Sequence, residues 1–301
     1  MHDSMDKRVP WEGVFTALIT PFNDDGSLDE KGLAELVRRQ LDAGIHGLVP
    51  CGTTGETPAM TTEEWEKVIE ITVQESAGEA WVVAGTGTNN TRVSAERTIK
   101  AQDLGADGGL VITPYYNKPT NEGILRHFAH VAHAAIDMPI MVYNVPSRTA
   151  INLTPDALEP ILELPTVVAV KEASGNIGQV WEIASRFGEN TTLLSGDDAT
   201  NLPFWEVGGD GCVSVLSNLV PEMVVEQYDA HKADNREKAL DLHSKFAALS
   251  KSLFVESSPA PAKYAFKLMG LPAGPVREPL APLRDSSKEL IKRDLQTLDI
   301  L

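Results

Sequence analysis

Eight short apolar runs punctuate the chain, at residues 14–20, 46–51, 81–85, 109–113, 139–144, 167–171, 192–195 and 212–216. Each lies near a Gly, Pro or Asn. Their starts are about 20 to 35 residues apart, the length of one strand with its crossover helix. The runs are apolar throughout rather than alternating, as in strands covered on both faces.

Helical patterns fill the gaps. Leu33, Leu36, Val37 and Leu41 form one apolar stripe, and Gly44 follows as a C-terminal cap. Trp65, Val68, Ile69 and Val73 form a second, with Thr61 and Glu64 spaced as a capping box before it. Ile124, Leu125, Phe128, Val131 and Ala132 form a third, whereas residues 92–104 show no clean stripe. Eight such units predict a closed (β/α)8 TIM barrel, with an open doubly wound sheet as the alternative. After residue 230 only helical patterns remain, at 236–254, 260–269 and 286–298. The expected organisation is a loose tail over 1–12, a barrel over 13–230 and a small C-terminal helical domain over 231–301.

Composition narrows the function classes. Asp and Glu number 43 against 26 Lys and Arg, a net charge of −17 over 301 residues. Such a field repels phosphate backbones and argues against nucleic acid or an anionic membrane as partner. No run of about 18 apolar residues is present, and the polar first ten residues do not resemble a secretory signal. The two cysteines, Cys51 and Cys212, cannot form a disulfide framework and sit in apolar runs, so a cytoplasmic setting is expected. Any anionic substrate then needs local positive charge inside an acidic shell.

In a barrel of this kind, chemistry sits at the C-terminal ends of the strands and in the loops after them. Lys171 ends the sixth run. A lysine there is either a desolvated amine able to form a Schiff base or an ammonium reaching for solvent. Tyr143 ends the fifth run and is either a proton shuttle or a rim aromatic. Arg148 follows it, able to hold a carboxylate by two hydrogen bonds or to sit solvated on the surface. The turn Gly52-Thr53-Thr54-Gly55-Glu56 offers hydroxyls and N–H groups to a small carboxylate, or simply caps a helix. Tyr115 and Tyr116 lie on a Pro-flanked loop that is a site, an interface or ordinary loop packing. Gly85-Thr86-Gly87 lacks the third glycine of a dinucleotide fingerprint. His127, His130 and His133 are spaced for a solvated helix face rather than one metal, and Asp197-Asp198 has no evident acidic partner for a metal.

In combination these segments carry a resemblance. The stretches ALITPF (17–22), GTTGE (52–56), TPYYNKP (113–119), YNVPSRT (143–149), VKEASGN (170–176), SGDD (195–198) and GGDGCVSV (208–215) occur in order. From Gly13 to the C-terminus the chain resembles the dihydrodipicolinate synthase family of pyruvate-dependent class I aldolases, within the N-acetylneuraminate lyase superfamily. The resemblance implies a (β/α)8 barrel with C-terminal helices. It implies a Schiff base between Lys171 and pyruvate, whose enamine attacks L-aspartate 4-semialdehyde in lysine (diaminopimelate) biosynthesis. It assigns a proton relay to Thr53, Tyr143 and Tyr116, the last entering a neighbouring subunit's site. It assigns the pyruvate carboxylate to Thr54, the semialdehyde carboxylate to Arg148, and the pyruvate pocket to Gly196 and Val213. No metal or organic cofactor is implied, because the imine is itself the electron sink.

The sequence is compatible with other readings. An N-acetylneuraminate lyase or a keto-deoxy sugar acid aldolase shares Lys171 and Tyr143, but Thr53 and Arg148 favour the synthase. A non-catalytic binder on the same scaffold has no reason to keep Lys171, Tyr143, Thr53 and Tyr116 together. Asn89 and Tyr115 match part of the family's lysine effector site. Trp65 and Val93 replace its His and Glu, so weak or absent lysine inhibition is expected. The resemblance also implies a homo-oligomer, a tetramer built as a dimer of dimers.

Overall fold

The computed structural model describes residues 8–301. Its strands are β1 (Gly13–Ala17), β2 (Gly47–Val49), β3 (Trp81–Gly85), β4 (Gly108–Ile112), β5 (Ile140–Asn144), β6 (Val167–Glu172), β7 (Thr192–Ser195) and β8 (Gly211–Ser214). Consecutive strands pair in parallel, and the order β1 to β8 closes into a barrel. The crossover helices are α1 (Glu30–Asp42), α2 (Thr62–Ser76), α3 (Thr91–Asp103), α4 (Asn121–Ala134), α5 (Pro146–Thr149), α6 (Pro155–Leu162), α7 (Ile177–Phe187), α8 (Asn201–Glu206) and α9 (Pro221–Lys232). Three more follow: α10 (Arg236–Ser252), α11 (Ala260–Met269) and α12 (Asp285–Thr297). The fold is the (β/α)8 barrel with a helical extension that the eight runs predict. No helix among the described residues is long and apolar enough to cross a membrane.

The chain divides into two compact units, one holding Val83–Val213 with the segment before β1, the other Gly13–Val82 with Ser214–Leu301. In the first, α3 packs on α4, and α4 on α6. The indistinct stripe of α3 has a simple cause. Its buried face is Ser94, Ala95, Thr98 and Ala101, small residues that let the helix lie close. His127 of α4 is buried, with Nδ1 3.0 Å from the Thr91 hydroxyl, so the three-histidine face is not wholly solvated.

Residues 1–7 of the expected tail lie outside the described residues. Residues 8–12 are anchored rather than loose. Trp11 is buried, and a Cβ on Gly108 would lie 2.2 Å from its ring, so only glycine leaves the indole room. Arg8 pairs with Asp210, and Thr192 donates to the Val9 carbonyl at 3.1 Å.

In the second unit, α1 packs on α2, α9 on both β1 and α10, and α12 on α10 and α11. The units therefore do not divide at the expected boundary, residue 230. The last crossover helix instead packs directly on the first of the C-terminal helices. The capping box of α2 forms as its spacing predicts, Thr61 accepting from the Glu64 N–H and Glu64 reaching back to the Thr61 N–H.

Candidate active site

Strand register builds the centre of the site in the first unit. β5 and β6 pair so that Tyr143 stands beside Lys171 and Asn144 beside Glu172. Registered neighbours in a parallel sheet share a face, and successive residues alternate. Lys171 and Tyr143 therefore share one face, while Asn144 and Glu172 share the other. The Lys171 Nζ lies 4.3 Å from the centroid of the Tyr143 ring, and both side chains are buried.

Burial decides the protonation of this pair. Desolvation lowers the Lys171 pKa from 10.5 to about 8, with Asp198 opposing the shift, Arg148 adding to it and Cys212 opposing it. At pH 7 roughly a tenth of such an amine is free, against well under a thousandth for an ordinary lysine. Desolvation raises the Tyr143 phenol from 10.0 to about 12, partly offset by Arg148 and reinforced by Glu172. Burial likewise pushes the Cys212 thiol well up. The centre thus holds a nucleophilic amine next to a phenol that keeps its proton.

Gly196 is shaped around the lysine. A Cβ there would lie 2.7 Å from the Ala173 Cβ and 3.0 Å from the Lys171 Cε, so any side chain would displace the amine's stem. The Gly196 N–H donates to the Glu172 carbonyl at 2.8 Å, which ties the loop after β7 to β6. Val213 is buried within β8. Arg148 is exposed on α5, directly after β5, and its charge acts on both Lys171 and Tyr143.

A polar network supports this centre from the opposite face. The buried Glu172 carboxylate accepts from Asn144 Nδ2 at 2.8 Å, Gln179 Nε2 at 3.2 Å and the Ser174 N–H at 2.6 Å. Asn144 also donates to Asn152 at 2.8 Å, and its Oδ1 accepts from the Leu153 N–H at 3.0 Å. The segment carrying Arg148 is thereby fastened at both ends to β5. Sequence reasoning missed Asn144, Glu172 and the electrostatic part of Asp198. The two-residue period of a strand was the available signal, since it puts Glu172 behind Lys171.

The remaining sequence candidates fall elsewhere. Tyr116 is 90% exposed at φ 69°, a left-handed backbone conformation that is uncommon for a bulky residue. Its neighbour Asn117 donates to the Asn89 carbonyl at 2.9 Å, and Thr113 donates to the Tyr143 carbonyl at 3.0 Å. Tyr115, Asn89 and Val93 are half-buried. Thr53 and Thr54 belong to the second unit, in the turn after β2, where Thr54 is buried and Thr53 half-buried. Trp65 is buried on the inner face of α2. Among the described residues no group of three or more His, Cys, Asp or Glu is placed to hold a metal. Burial, with a smaller contribution from His130, lowers His127 to about 4, so it stays neutral.

Comparison with known proteins identifies the family and agrees with the fold. A 4-hydroxy-tetrahydrodipicolinate synthase of Methanothrix thermoacetophila is 46% identical over 288 residues, covering 95% of this chain and 96% of that protein. The crystal structure of dihydrodipicolinate synthase from Thermotoga maritima superposes with a TM-score of 0.93 at 38% identity, covering 96% of this chain and 99% of that one. The enzyme from Cyanidioschyzon merolae, solved with lysine bound, gives a TM-score of 0.93 at 36% identity, with 97% and 99% covered. The sequence pattern of the Dihydrodipicolinate synthetase family matches residues 10–298. The chain belongs to that family.

Proposed function

We propose that this protein is a 4-hydroxy-tetrahydrodipicolinate synthase, condensing pyruvate with L-aspartate 4-semialdehyde. The observation that carries the reading is the buried Lys171 amine, lowered to about 8 and set against the Tyr143 ring at the end of β6. The free amine adds to the pyruvate C2 carbonyl, and loss of water gives the imine. Protonation of the imine nitrogen and loss of a methyl proton from the resulting iminium give the enamine, with the nitrogen taking up the electron pair. The methyl carbon then bonds to the semialdehyde's aldehyde carbon, whose oxygen takes a proton. The semialdehyde's amino group attacks the imine carbon, closing the ring and expelling Lys171 as the free amine.

Tyr143 holds a proton across neutral pH and suits the donor role, with Thr53 and Tyr116 completing the relay by family resemblance. By family resemblance, Thr54 matches the position that takes the pyruvate carboxylate, and Gly196 and Val213 match positions that line the pyruvate pocket. Arg148 takes the carboxylate of the semialdehyde, which supplies the local positive charge that the acidic chain otherwise lacks. The family reading supports a cytoplasmic reaction in lysine biosynthesis.

The exposed, left-handed Tyr116 supports an assembly in which it enters a neighbouring subunit's site, in a dimer paired into a tetramer. Val93 brings no carboxylate for a lysine ammonium, and Trp65 is buried, so weak lysine inhibition is expected.

The test is borohydride trapping with pyruvate, followed by a coupled assay with the semialdehyde. The expected result is a reduced adduct at Lys171 and turnover with the semialdehyde. No adduct, or turnover only with N-acetylmannosamine in the semialdehyde's place, overturns the reading. In a parallel arm Tyr116→Phe lowers turnover and leaves trapping intact.

A further inference from the structure

The turn that carries Thr53 and Thr54 has an unusual backbone. Cys51 and Glu56, which bracket it, both adopt left-handed conformations, at φ 56° and 57°. Residues other than glycine hold that conformation only where their surroundings over-determine it. Inside the turn, the Gly55 N–H donates to the Gly52 carbonyl and the Glu56 N–H to the Thr53 carbonyl, each at 3.1 Å. These short-range bonds stabilise a turn without explaining why a glutamate occupies its last, left-handed position.

The Glu56 side chain supplies the reason. It is buried, with Oε1 2.6 Å from the Nζ of Lys263, itself buried on α11. Its Oε2 accepts the Arg277 N–H at 2.8 Å. Lys263 donates to the Pro275 carbonyl at 3.0 Å and lies 4.1 Å from the Phe22 ring centroid. The Arg277 guanidinium lies 3.9 Å from the same ring. It also donates to Glu64 and to the Gly26 and Ala59 carbonyls. Two carboxylates, two cations and an aromatic face thus form one closed group. Three of its members, Lys263, Pro275 and Arg277, lie more than 200 positions along the chain from Glu56, and all lie in the second unit.

A buried ion pair of this kind rarely adds net stability over a well-packed apolar replacement, because desolvation offsets the attraction. Its best-supported use is to fix a geometry. We propose that Glu56 is a positioning residue. Through Lys263 and the Arg277 N–H it clamps the Thr53–Thr54 turn, so that the C-terminal helical segment sets the affinity for the keto acid. This rests on the reading of that turn as the pyruvate carboxylate site. Glu56 itself touches no substrate in this proposal.

The test compares trapping curves on the intact protein. In Glu56→Gln/Lys263→Met both charges are gone, no buried ion is orphaned, and an acceptor for the Arg277 N–H remains. The pyruvate concentration that half-saturates borohydride trapping is expected to rise about tenfold or more, on the scale of a small misplacement of a binding group. The trapping rate at saturating pyruvate stays within about twofold of the parent. Lys263→Arg, which keeps the charge, is expected to recover most of the affinity. A double variant that melts lower yet keeps the parent's half-saturation overturns the proposal, because the pair is then only structural.

If the double variant does not fold, Glu56→Asp retains the carboxylate one methylene short, and an unchanged half-saturation there is equally fatal. Absence of any adduct in the unaltered protein is a different failure. It removes the Schiff-base reading and not merely the clamp.

Discussion

A lysine 6% exposed differs chemically from one in water. At Lys171 desolvation outweighs the Asp198 charge, so the ammonium is the disfavoured form. The sign of the pH effect follows. The lowered pKa frees the amine at a pH where an ordinary lysine is fully charged, and that advantage is lost as pH falls through about 8. The rate of pyruvate trapping is therefore expected to rise roughly tenfold per pH unit up to about 8 and then to level. A pH profile of borohydride inactivation at saturating pyruvate measures this. A midpoint near the ordinary value of 10.5 would show that the amine is solvated. The residue type and its place at a strand end were legible in the sequence. The depth of burial was not, because it depends on Tyr143 and Gly196, which lie 28 and 25 positions away.

Elements explain why the centre keeps its shape. β5 and β6 present Tyr143 and Lys171 on one face only while their register holds. Asn144 and Glu172, one residue further along each strand, pin that register from behind. Asn144 also fastens Asn152 and Leu153, which close the segment bearing Arg148. Replacing Asn144 by Leu leaves the Leu153 N–H without its acceptor and removes one of the two donors to Glu172 Oε2, which keeps Gln179. A buried orphan costs about 1–3 kcal/mol, so a loss of about 2 kcal/mol is expected in urea unfolding. kcat/KM should fall further for the semialdehyde than for pyruvate, since Arg148 is the group released. Unchanged stability with equal losses on both substrates would show that the network is not what holds this segment. The strands themselves were easy to read, being apolar on both faces. α3 was hard for the opposite reason: hydroxyl and alanine side chains fill its inner face, so hydropathy falls where packing is closest.

The whole molecule sets two properties that no local pattern reveals. The first is the joining of distant segments. Glu56 and Lys263 stand 207 positions apart, and nothing in either neighbourhood announces the pair. The second is the field. A net charge of −17 surrounds a site proposed to take anionic pyruvate and a net-neutral, zwitterionic semialdehyde that also carries a carboxylate, with Arg148 as the local cation. These two fields differ in range. Repulsion from the whole chain is spread over many exposed carboxylates and acts across the approach path. The Debye length shrinks from about 30 Å at 0.01 M salt to about 8 Å at 0.15 M, so added salt removes most of that repulsion. The contact proposed between Arg148 and a substrate carboxylate would act within a few ångströms and be screened far less. Raising ionic strength over this range is therefore expected to increase kcat/KM for pyruvate by a few-fold and to change that for the net-neutral semialdehyde much less, with kcat nearly constant. Stopped-flow or initial-rate measurements in a non-binding salt give the slope. A decrease instead would mean that attraction from Arg148 governs the approach, and that the acidic shell is electrostatically remote from the mouth of the site.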